Sequence, residues 1–345
     1  MKEPLTDRSK DIFTSVVREY ILTAEPVGSR KIAKKYNYSL SPATIRNVMA
    51  DLEEIGILYQ PHTSAGRIPT VKGFRLYVDA ILGNPELPSQ KKEAIKAKYR
   101  NASQEFSGIL KATSKILSEF SHSTALVMAP KFMDTIFRHI EFILLRTGQI
   151  LAIFVPHSGL VQNRVLEIDD KNITQDDLEK YSRYLNELLS GLTLREVRNR
   201  IAEEMKKEQN MYHTLLSKAL QLGNSALDLN GEVELYVDGQ ANLFDYPEFA
   251  EVEKIKSLFR AFEEKSTLLY ILDKALENQG IQIFIGSENE FQMMEDCSLI
   301  LSPYSRNSNV LGTLGVVGPT RMNYPDIIPI VGFVATLLSN YLDEQ

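Results

Sequence analysis

Two polar side chains near the N-terminus, Arg46 and Asn47, are of the types that read DNA bases. An arginine can hydrogen-bond guanine through two atoms and an asparagine can do the same with adenine, and each such pair contributes roughly 1–3 kcal/mol of discrimination. Both lie in the first half of segment 42–55, whose acids are confined to its second half. This polarity predicts a recognition helix that directs its amino end into the major groove of DNA. The alternative is an ordinary solvated helix face.

The apolar residues in and around segment 42–55 predict a small unit of three helices, a two-stranded wing and a fourth helix. Hydroxyl side chains that can cap a helix precede each predicted helix. They are Thr6, Ser29, Ser41 and Thr70. The wing strands are expected at 57–61 and 67–69, and the tip between them is small and polar. A tip of this composition suits a position along a phosphate backbone, so it favours DNA binding over a merely solvated face.

We expect DNA contacts from the exposed face of the third helix, from the wing, and from basic residues beside them. Arg46 and Asn47 are expected to contact bases, and Ala43 allows close approach or contact with a thymine methyl. The flanking basic residues are expected to contact phosphates. The predicted contact set is Arg30, Lys31, Ser41, Ala43, Thr44, Arg46, Asn47, His62, Thr63, Ser64, Arg67, Lys72 and Arg75.

The charge of the chain is divided unevenly. Residues 1–82 carry 12 Lys+Arg against 9 Asp+Glu, whereas the whole chain carries 39 against 45 and has a net charge of −6. A basic module attached to an acidic body is typical of a DNA-binding protein with a separate regulatory or assembly part.

The composition excludes several other classes of protein. A single cysteine, Cys297, excludes an internal disulfide and a cysteine-built metal site, and it fits a reducing compartment. The N-terminal residues lack the apolar stretch of a signal peptide, and no uninterrupted apolar run reaches the ~18 residues that a membrane span needs. The apolar tail 327–342 is interrupted by Pro329 and is predicted to be a buried helix. We therefore expect a cytoplasmic protein without membrane contact.

The remainder of the chain shows no set of residues suited to catalysis. Its histidines, at 122, 139, 157 and 213, lack the spacing of metal ligands, and the glycines of 312–315 are not followed by the lysine of a phosphate-binding loop. No acid, base, nucleophile and metal-ligand set converges in sequence. We therefore expect neither an enzyme nor a cofactor.

The body of the chain predicts mixed strands and helices. Strands are predicted at 125–129, 136–145, 150–155 and 160–167. A long helix is predicted at 89–120, a charged one at 194–222, and a hairpin at 233–244. The charged helix and the hairpin are candidates for contact between two copies of the chain, although packing within one chain is an equal alternative. The residues assigned to this contact are Val197, Ile201, Met205, Tyr212 and Leu215.

Four strings of the sequence resemble the heat-inducible transcription repressor family HrcA. They are PVGSRKIAK at 26–34, LSPATIRNVMADLEEIG at 40–56, QPHTSAGRIPT at 60–70 and LGVVGPTRMNY at 314–324. They occur in order and span both ends of the chain. Val71 departs from the family pattern, in which an acid often follows Pro-Thr, but it is not among the predicted DNA contacts.

The resemblance implies a fold, partners and a mode of regulation. The implied fold is α+β and multidomain, with a winged helix-turn-helix at 1–88, a GAF-like α/β domain at 89–171 and 248–345, and an inserted dimerisation domain at 172–247. The implied function is repression of chaperone operons of the groE and dnaK type. A homodimer would bind the controlling inverted repeat of chaperone expression (CIRCE), and the GroEL chaperonin would keep the repressor active. With the resemblance, dimer contact is favoured over packing within one chain.

Other functions remain as alternatives. A metabolite-sensing winged-helix regulator would bind an effector in the GAF-like domain. An enzyme with an accessory DNA-binding domain would need a set of reacting groups that the sequence does not show. A winged helix used for protein contact would show only mild salt dependence in its binding.

Overall fold

The structure is a computed structural model of the 345-residue chain. It describes residues 5–36, 40–63, 65–81, 86–100, 106–130, 135–157, 161–168, 172–208, 214–227, 234–277, 280–289, 294–307 and 309–344. The chain forms two compact units. The first unit is Met1–Ala129 with Leu235–Gln345, and the second unit is Pro130–Glu234.

Both units combine helices and strands. The helices are α1 (Asp7–Thr23), α2 (Ser29–Lys35), α3 (Pro42–Glu54), α4 (Val71–Ile81), α5 (Ser89–Arg100), α6 (Phe106–Ser121), α7 (Gln175–Leu189), α8 (Leu194–Glu208), α9 (Thr214–Leu227), α10 (Val252–Glu263), α11 (Lys265–Lys274) and α12 (Tyr324–Asp343). The strands are β1 (Leu58–Tyr59), β2 (Ile68–Pro69), β3 (Thr124–Met128), β4 (Phe137–Arg146), β5 (Gln149–Pro156), β6 (Gln162–Glu167), β7 (Leu235–Asp238), β8 (Gln282–Ile285), β9 (Cys297–Arg306) and β10 (Asn309–Pro319).

The first unit begins with three helices, a two-stranded antiparallel sheet of β1 and β2, and α4. Three of the four predicted helix caps are confirmed. The hydroxyls of Thr6, Ser41 and Thr70 each accept the backbone N–H three residues later, at 3.1 or 3.2 Å. The prediction for Ser29 is wrong, because Ser29 is already the first helical residue and Gly28 precedes it without a side-chain cap.

The rest of the first unit is built on a five-stranded antiparallel sheet in the order β7-β3-β10-β9-β8. Helices α6 and α12 pack against its strands. By length and hydropathy α12 could cross a membrane, but much of it is buried, as expected for the core helix predicted at 327–342.

The second unit is a three-stranded antiparallel sheet, β4-β5-β6, packed with α7, α8 and α9 around its own apolar core. Side chains of α7 cover the edge strand β4. The amide of Asn186 accepts the Ile140 N–H at 2.8 Å and donates to the Ile140 carbonyl at 3.0 Å. Ser182 Oγ accepts the Phe142 N–H at 3.1 Å. The helix thereby pairs backbone groups that an edge strand would otherwise leave open.

Two predicted long helices are wrong, because each is replaced by two helices that pack together. The segment predicted at 89–120 contains α5 and α6, joined side by side through Lys98 and Glu119 at 2.8 Å. The segment predicted at 194–222 contains α8 and most of α9, which continues to Leu227. A Cβ placed on Gly223 would lie 3.7 Å from Cδ1 of Ile201, whereas a continuous helix would separate the two residues by about 33 Å.

The predicted hairpin at 233–244 is also wrong. Its first half contains β7, which pairs with β3 across more than a hundred residues of sequence. The chain then turns at Gly239, whose φ is 75°, into the 3-10 helix Gln240–Asp245. The boundary expected at residue 172 differs as well, because β4, β5 and β6 belong to the second unit together with α7, α8 and α9.

The covering of β4 by Asn186 yields a stability prediction. Replacing Asn186 with alanine leaves the N–H and carbonyl of Ile140 without their partner, so we expect a loss of about 1–3 kcal/mol in the free energy of unfolding. Hydrogen exchange at the Ile140 amide should accelerate accordingly. Glu187→Ala, at the exposed neighbouring position, is the control and should leave that exchange rate unchanged. Equal rates at Ile140 in the two variants would contradict the covering role.

Candidate nucleic-acid interface

Helix α3 has one buried and one exposed face. Ile45, Met49 and Leu52 are buried, and the helix contacts α1 and α2. Arg46 and Asn47 are exposed on the opposite face. No hydrogen bond or ion pair joins either side chain to another described residue. The structure therefore leaves the two predicted base-reading side chains accessible.

The amino end of α3 is held by its cap. Ser41 Oγ accepts the Thr44 N–H at 3.1 Å and lies 3.0 Å from Thr44 Oγ1. Both hydroxyls were predicted to contact DNA, and the structure shows that they also order the first turn. Ala43 is exposed between them. The positive end of the helix dipole thus lies at an accessible position, which favours an anionic partner there.

A buried carboxylate holds two lysines of α2. Glu19, on α1, is 2% exposed, and its oxygens lie 2.8 Å from Nζ of Lys31 and 2.5 Å from Nζ of Lys35. Burial raises the pKa of Glu19, but the hydrogen bonds and charges of the two lysines together outweigh burial and hold the pKa below its ordinary value. Lys31, which is predicted to contact a phosphate, therefore already pairs with Glu19. Arg30 beside it is exposed.

Glu19 is a site residue that the sequence pattern did not reveal. The one signal was an acid on the apolar stripe of α1, three residues after the buried Val16. The lysines that pair with it lie on another helix, and spacing within α1 cannot reveal them.

The tip between β1 and β2 exposes His62 and Thr63, while Ser64 lies outside the described residues. Arg67, predicted to contact DNA, is only 14% exposed and its Nε lies 2.7 Å from Oε2 of Glu53. The two groups form an ion pair, although the N–H is not aimed at the carboxylate as in a hydrogen bond. Arg67 is thus mostly buried and paired within the first unit, and its contact with DNA stays a prediction.

The two basic residues of α4 also have partners within the first unit. Lys72 Nζ donates to the carbonyl of Ile55, at the end of α3, at 2.9 Å. Arg75 donates to the carbonyl of Ile283 at 2.5 Å and forms an ion pair with Glu288. The structure thus places Arg75 in a network within the first unit, and its contact with a phosphate stays a prediction.

The residues assigned to dimer contact divide into two groups. Val197 and Ile201 are 0% and 1% exposed and belong to the core of the second unit. For these two the prediction is wrong, because the apolar stripe packs within its own chain. Tyr212 and the side chains of Met205 and Leu215 lie outside the described part of the structure.

The described ranges hold no group of three or more His, Cys, Asp or Glu side chains that could bind a metal ion. The thiol of Cys297 is buried, and burial raises its pKa to about 12. It therefore stays protonated at neutral pH and is a poor nucleophile.

Comparison with known proteins connects this chain to one family. Residues 107–328 match the family model described as HrcA protein C terminal domain. The chain is 48% identical to "Heat-inducible transcription repressor HrcA" of Geobacter sulfurreducens, over 99% of both chains. It is 45% identical to the protein of the same description from Syntrophobacter fumaroxidans, over 99% of this chain and 98% of the relative.

One crystal structure, described as that of a hypothetical protein, resembles this fold closely. Its TM-score is 0.72 at 23% sequence identity, with 99% of each chain covered. This likeness concerns the mixed α/β fold alone.

The pairing of Glu19 predicts a pH-dependent stability. A glutamate held below its ordinary pKa, about 4.3, contributes fully above that value, and the contribution is lost as the pH falls through the lowered pKa. Replacing Glu19 with glutamine should therefore lower the free energy of unfolding by about 1–3 kcal/mol near neutral pH. The difference from the wild type should shrink towards zero in acid.

Urea unfolding of both proteins across a pH series measures this difference. Glu25→Gln, at an exposed acid just after α1, is the matched control. A difference for Glu19→Gln that is independent of pH, or no larger than that of the control, would contradict the assigned pairing.

Proposed function

The chain belongs to the HrcA family of heat-inducible transcription repressors, and we propose that residues 1–88 form a winged-helix domain that binds an operator through α3. Transcriptional repression is not an enzymatic role. We propose that it acts by occupancy, because a protein bound at the operator blocks the polymerase without making or breaking a bond. The site of action would be the cytoplasm.

The exposed face of α3 is the observation that carries this proposal. Its apolar side is buried, its amino end is capped but accessible, and Arg46 and Asn47 lie on its accessible side. Arginine and asparagine at the first turns of such a helix match the hydrogen-bonding edges of guanine and adenine in the major groove. Ala43 supports the same placement, because its small side chain allows the helix to approach the bases.

We propose that two copies of the chain bind an inverted repeat of the CIRCE type upstream of chaperone operons. A two-fold symmetric operator requires a two-fold symmetric reader. The second unit has an apolar core of its own, and we assign dimer contact to faces of this unit other than the buried Val197 and Ile201. The five-stranded sheet and its helices are the part that we assign to a GAF-like domain.

Regulation by the GroEL chaperonin is part of the proposal. It comes from the sequence resemblance and agrees with the heat-inducible role of the relatives. Operator footprinting at physiological temperature, with and without chaperonin, tests it. Occupancy should rise when chaperonin is present, and an unchanged occupancy would contradict this part of the proposal.

The proposed base contact predicts how Arg46→Ala behaves. The variant loses hydrogen bonds to a base edge, so its affinity for the operator should fall by about 1–3 kcal/mol, whereas its affinity for scrambled DNA should fall less. Titration of labelled duplexes at several salt concentrations measures both affinities.

Arg30→Ala is the comparison variant for this titration, because Arg30 is exposed and is assigned to a phosphate. It should weaken binding to both duplexes equally and should lower the slope of log K against log salt by roughly 0.9. Equal losses on operator and scrambled DNA for Arg46→Ala would reassign Arg46 to the phosphates. No loss on either duplex would overturn the placement of α3 in the groove.

A further inference from the structure

Glu53, in the last turn of α3, contacts the chain on both sides of the wing. Its Oε1 accepts the backbone N–H of Gln60, directly after β1, at 3.1 Å. Its Oε2 lies 2.7 Å from Nε of Arg67, directly before β2. One carboxylate of the candidate recognition helix therefore holds the start and the end of the loop between the two strands.

The side chain of Gln60 extends this connection into the tip. Its Nε2 donates to the carbonyl of Thr63 at 3.0 Å and to the carbonyl of Ala65 at 2.8 Å. The Ala65 N–H donates to the carbonyl of His62 at 2.9 Å, which closes the turn. We call Glu53, Gln60 and Arg67 the wing tether.

The base of the loop is fixed independently of the tether. Arg67 and Val27 exchange two backbone hydrogen bonds of 2.9 Å. A Cβ on Gly66 would lie 2.3 Å from the backbone of Val27, so the two segments pack with no room for a side chain. The start of β2 is thus anchored to the segment before α2. The tip is connected to α3 through the wing tether.

A carboxylate at position 53 is electrostatically unfavourable if α3 lies on DNA. The side chain of Glu53 is 34% exposed, and a carboxylate near phosphates is repelled by them. Arg67 offsets this charge locally, because its Nε lies 2.7 Å from Oε2 of Glu53. The contact between Glu53 and Arg67 therefore suits a role in positioning the wing rather than in contacting DNA directly.

We propose that Glu53 is a positioning residue, which orients the wing tip relative to α3 so that His62 and Thr63 meet the phosphate backbone in the register set by Arg46 and Asn47. This inference rests on the proposed function, because it needs α3 in the groove. It assigns Arg67 to the same positioning role. The wing and the recognition helix then bind as one preorganised surface. Because the tip is already ordered in the free protein, binding to DNA loses less conformational entropy.

The central test compares Glu53→Ala with Glu54→Ala, its exposed neighbour on α3. Both variants remove one negative charge near the DNA. Electrostatics alone therefore predicts unchanged or tighter binding for both. The positioning role predicts that Glu53→Ala weakens operator binding roughly 5- to 15-fold, the equivalent of one lost hydrogen bond, while Glu54→Ala binds at least as well as the wild type.

Ethylation interference at the operator phosphates separates positioning from a general loss of stability. If the tip no longer meets the backbone, ethylation of the phosphates beside the wing should cease to interfere with binding, while interference beside α3 should persist. Glu53→Gln keeps an oxygen that can accept the Gln60 N–H, so it should retain most of the operator affinity and the wild-type interference pattern. Thermal unfolding without DNA shows whether each variant is folded at the assay temperature.

A second variant keeps the proposal testable if Glu53→Ala does not fold. Gln60→Ala removes the two side-chain hydrogen bonds to the tip but leaves Glu53 and Arg67 paired. It should show the same loss of ethylation interference beside the wing as Glu53→Ala.

Two results would overturn the inference. The first is operator binding by Glu53→Ala that matches Glu54→Ala in affinity and in ethylation interference beside the wing. The second is a wild-type interference pattern in Gln60→Ala. Wild-type protein that binds scrambled DNA as tightly as its operator would instead contradict the proposed function, and the tether's role with it.

Discussion

Burial of one face of α3 is the constraint on which the rest of this account depends. Burying a large aliphatic side chain stabilises a fold by about 1.5–3 kcal/mol, whereas a surface ion pair contributes roughly 0–1 kcal/mol. Ile45, Met49 and Leu52 therefore decide how the helix is rotated, and the outward direction of Arg46 and Asn47 follows. The same helix supplies Glu53 to the wing, so both parts of the proposed DNA surface take their position from it.

Much of the first unit could be predicted because its signals are local. Ser41 and Pro42 mark the start of α3, and both are found there, the serine as a cap and the proline in the first turn. Gly56 follows the C-cap residue Ile55 and adopts a φ of 78°, the left-handed conformation in which glycine commonly ends a helix. The apolar spacing of α3 also predicts the buried Ile45, Met49 and Leu52, whereas Val48 and Ile55, which share that spacing, are only partly buried. Such features depend on neighbours within four residues, and a single sequence contains all of them.

The sequence could not reveal partners that are distant in the chain. Arg75 is predicted to contact DNA because it is basic and close to the wing, and its pairing with Glu288, more than two hundred residues away, was not foreseen. Asp238-Gly239 has the composition of a hairpin turn, yet the strand before it pairs with β3. The stripe of α8 has the same spacing whether it faces a second copy or α9. The spacing of apolar residues indicates that one face of a helix is apolar. Only the tertiary structure shows which residues cover that face.

The most direct measurement is cleavage of operator DNA by an iron chelate attached to α3. Pro42→Cys gives an exposed attachment site at the amino end that is not assigned to a DNA contact, and the buried Cys297 should not react. We predict strand cleavage in both arms of the operator, spaced by a multiple of about 10.5 base pairs. The same chelate on Glu54→Cys, about 18 Å further along the helix, should cut weakly. Stronger cleavage from position 54, or none from position 42 in a bound complex, would contradict the placement of α3 in the groove.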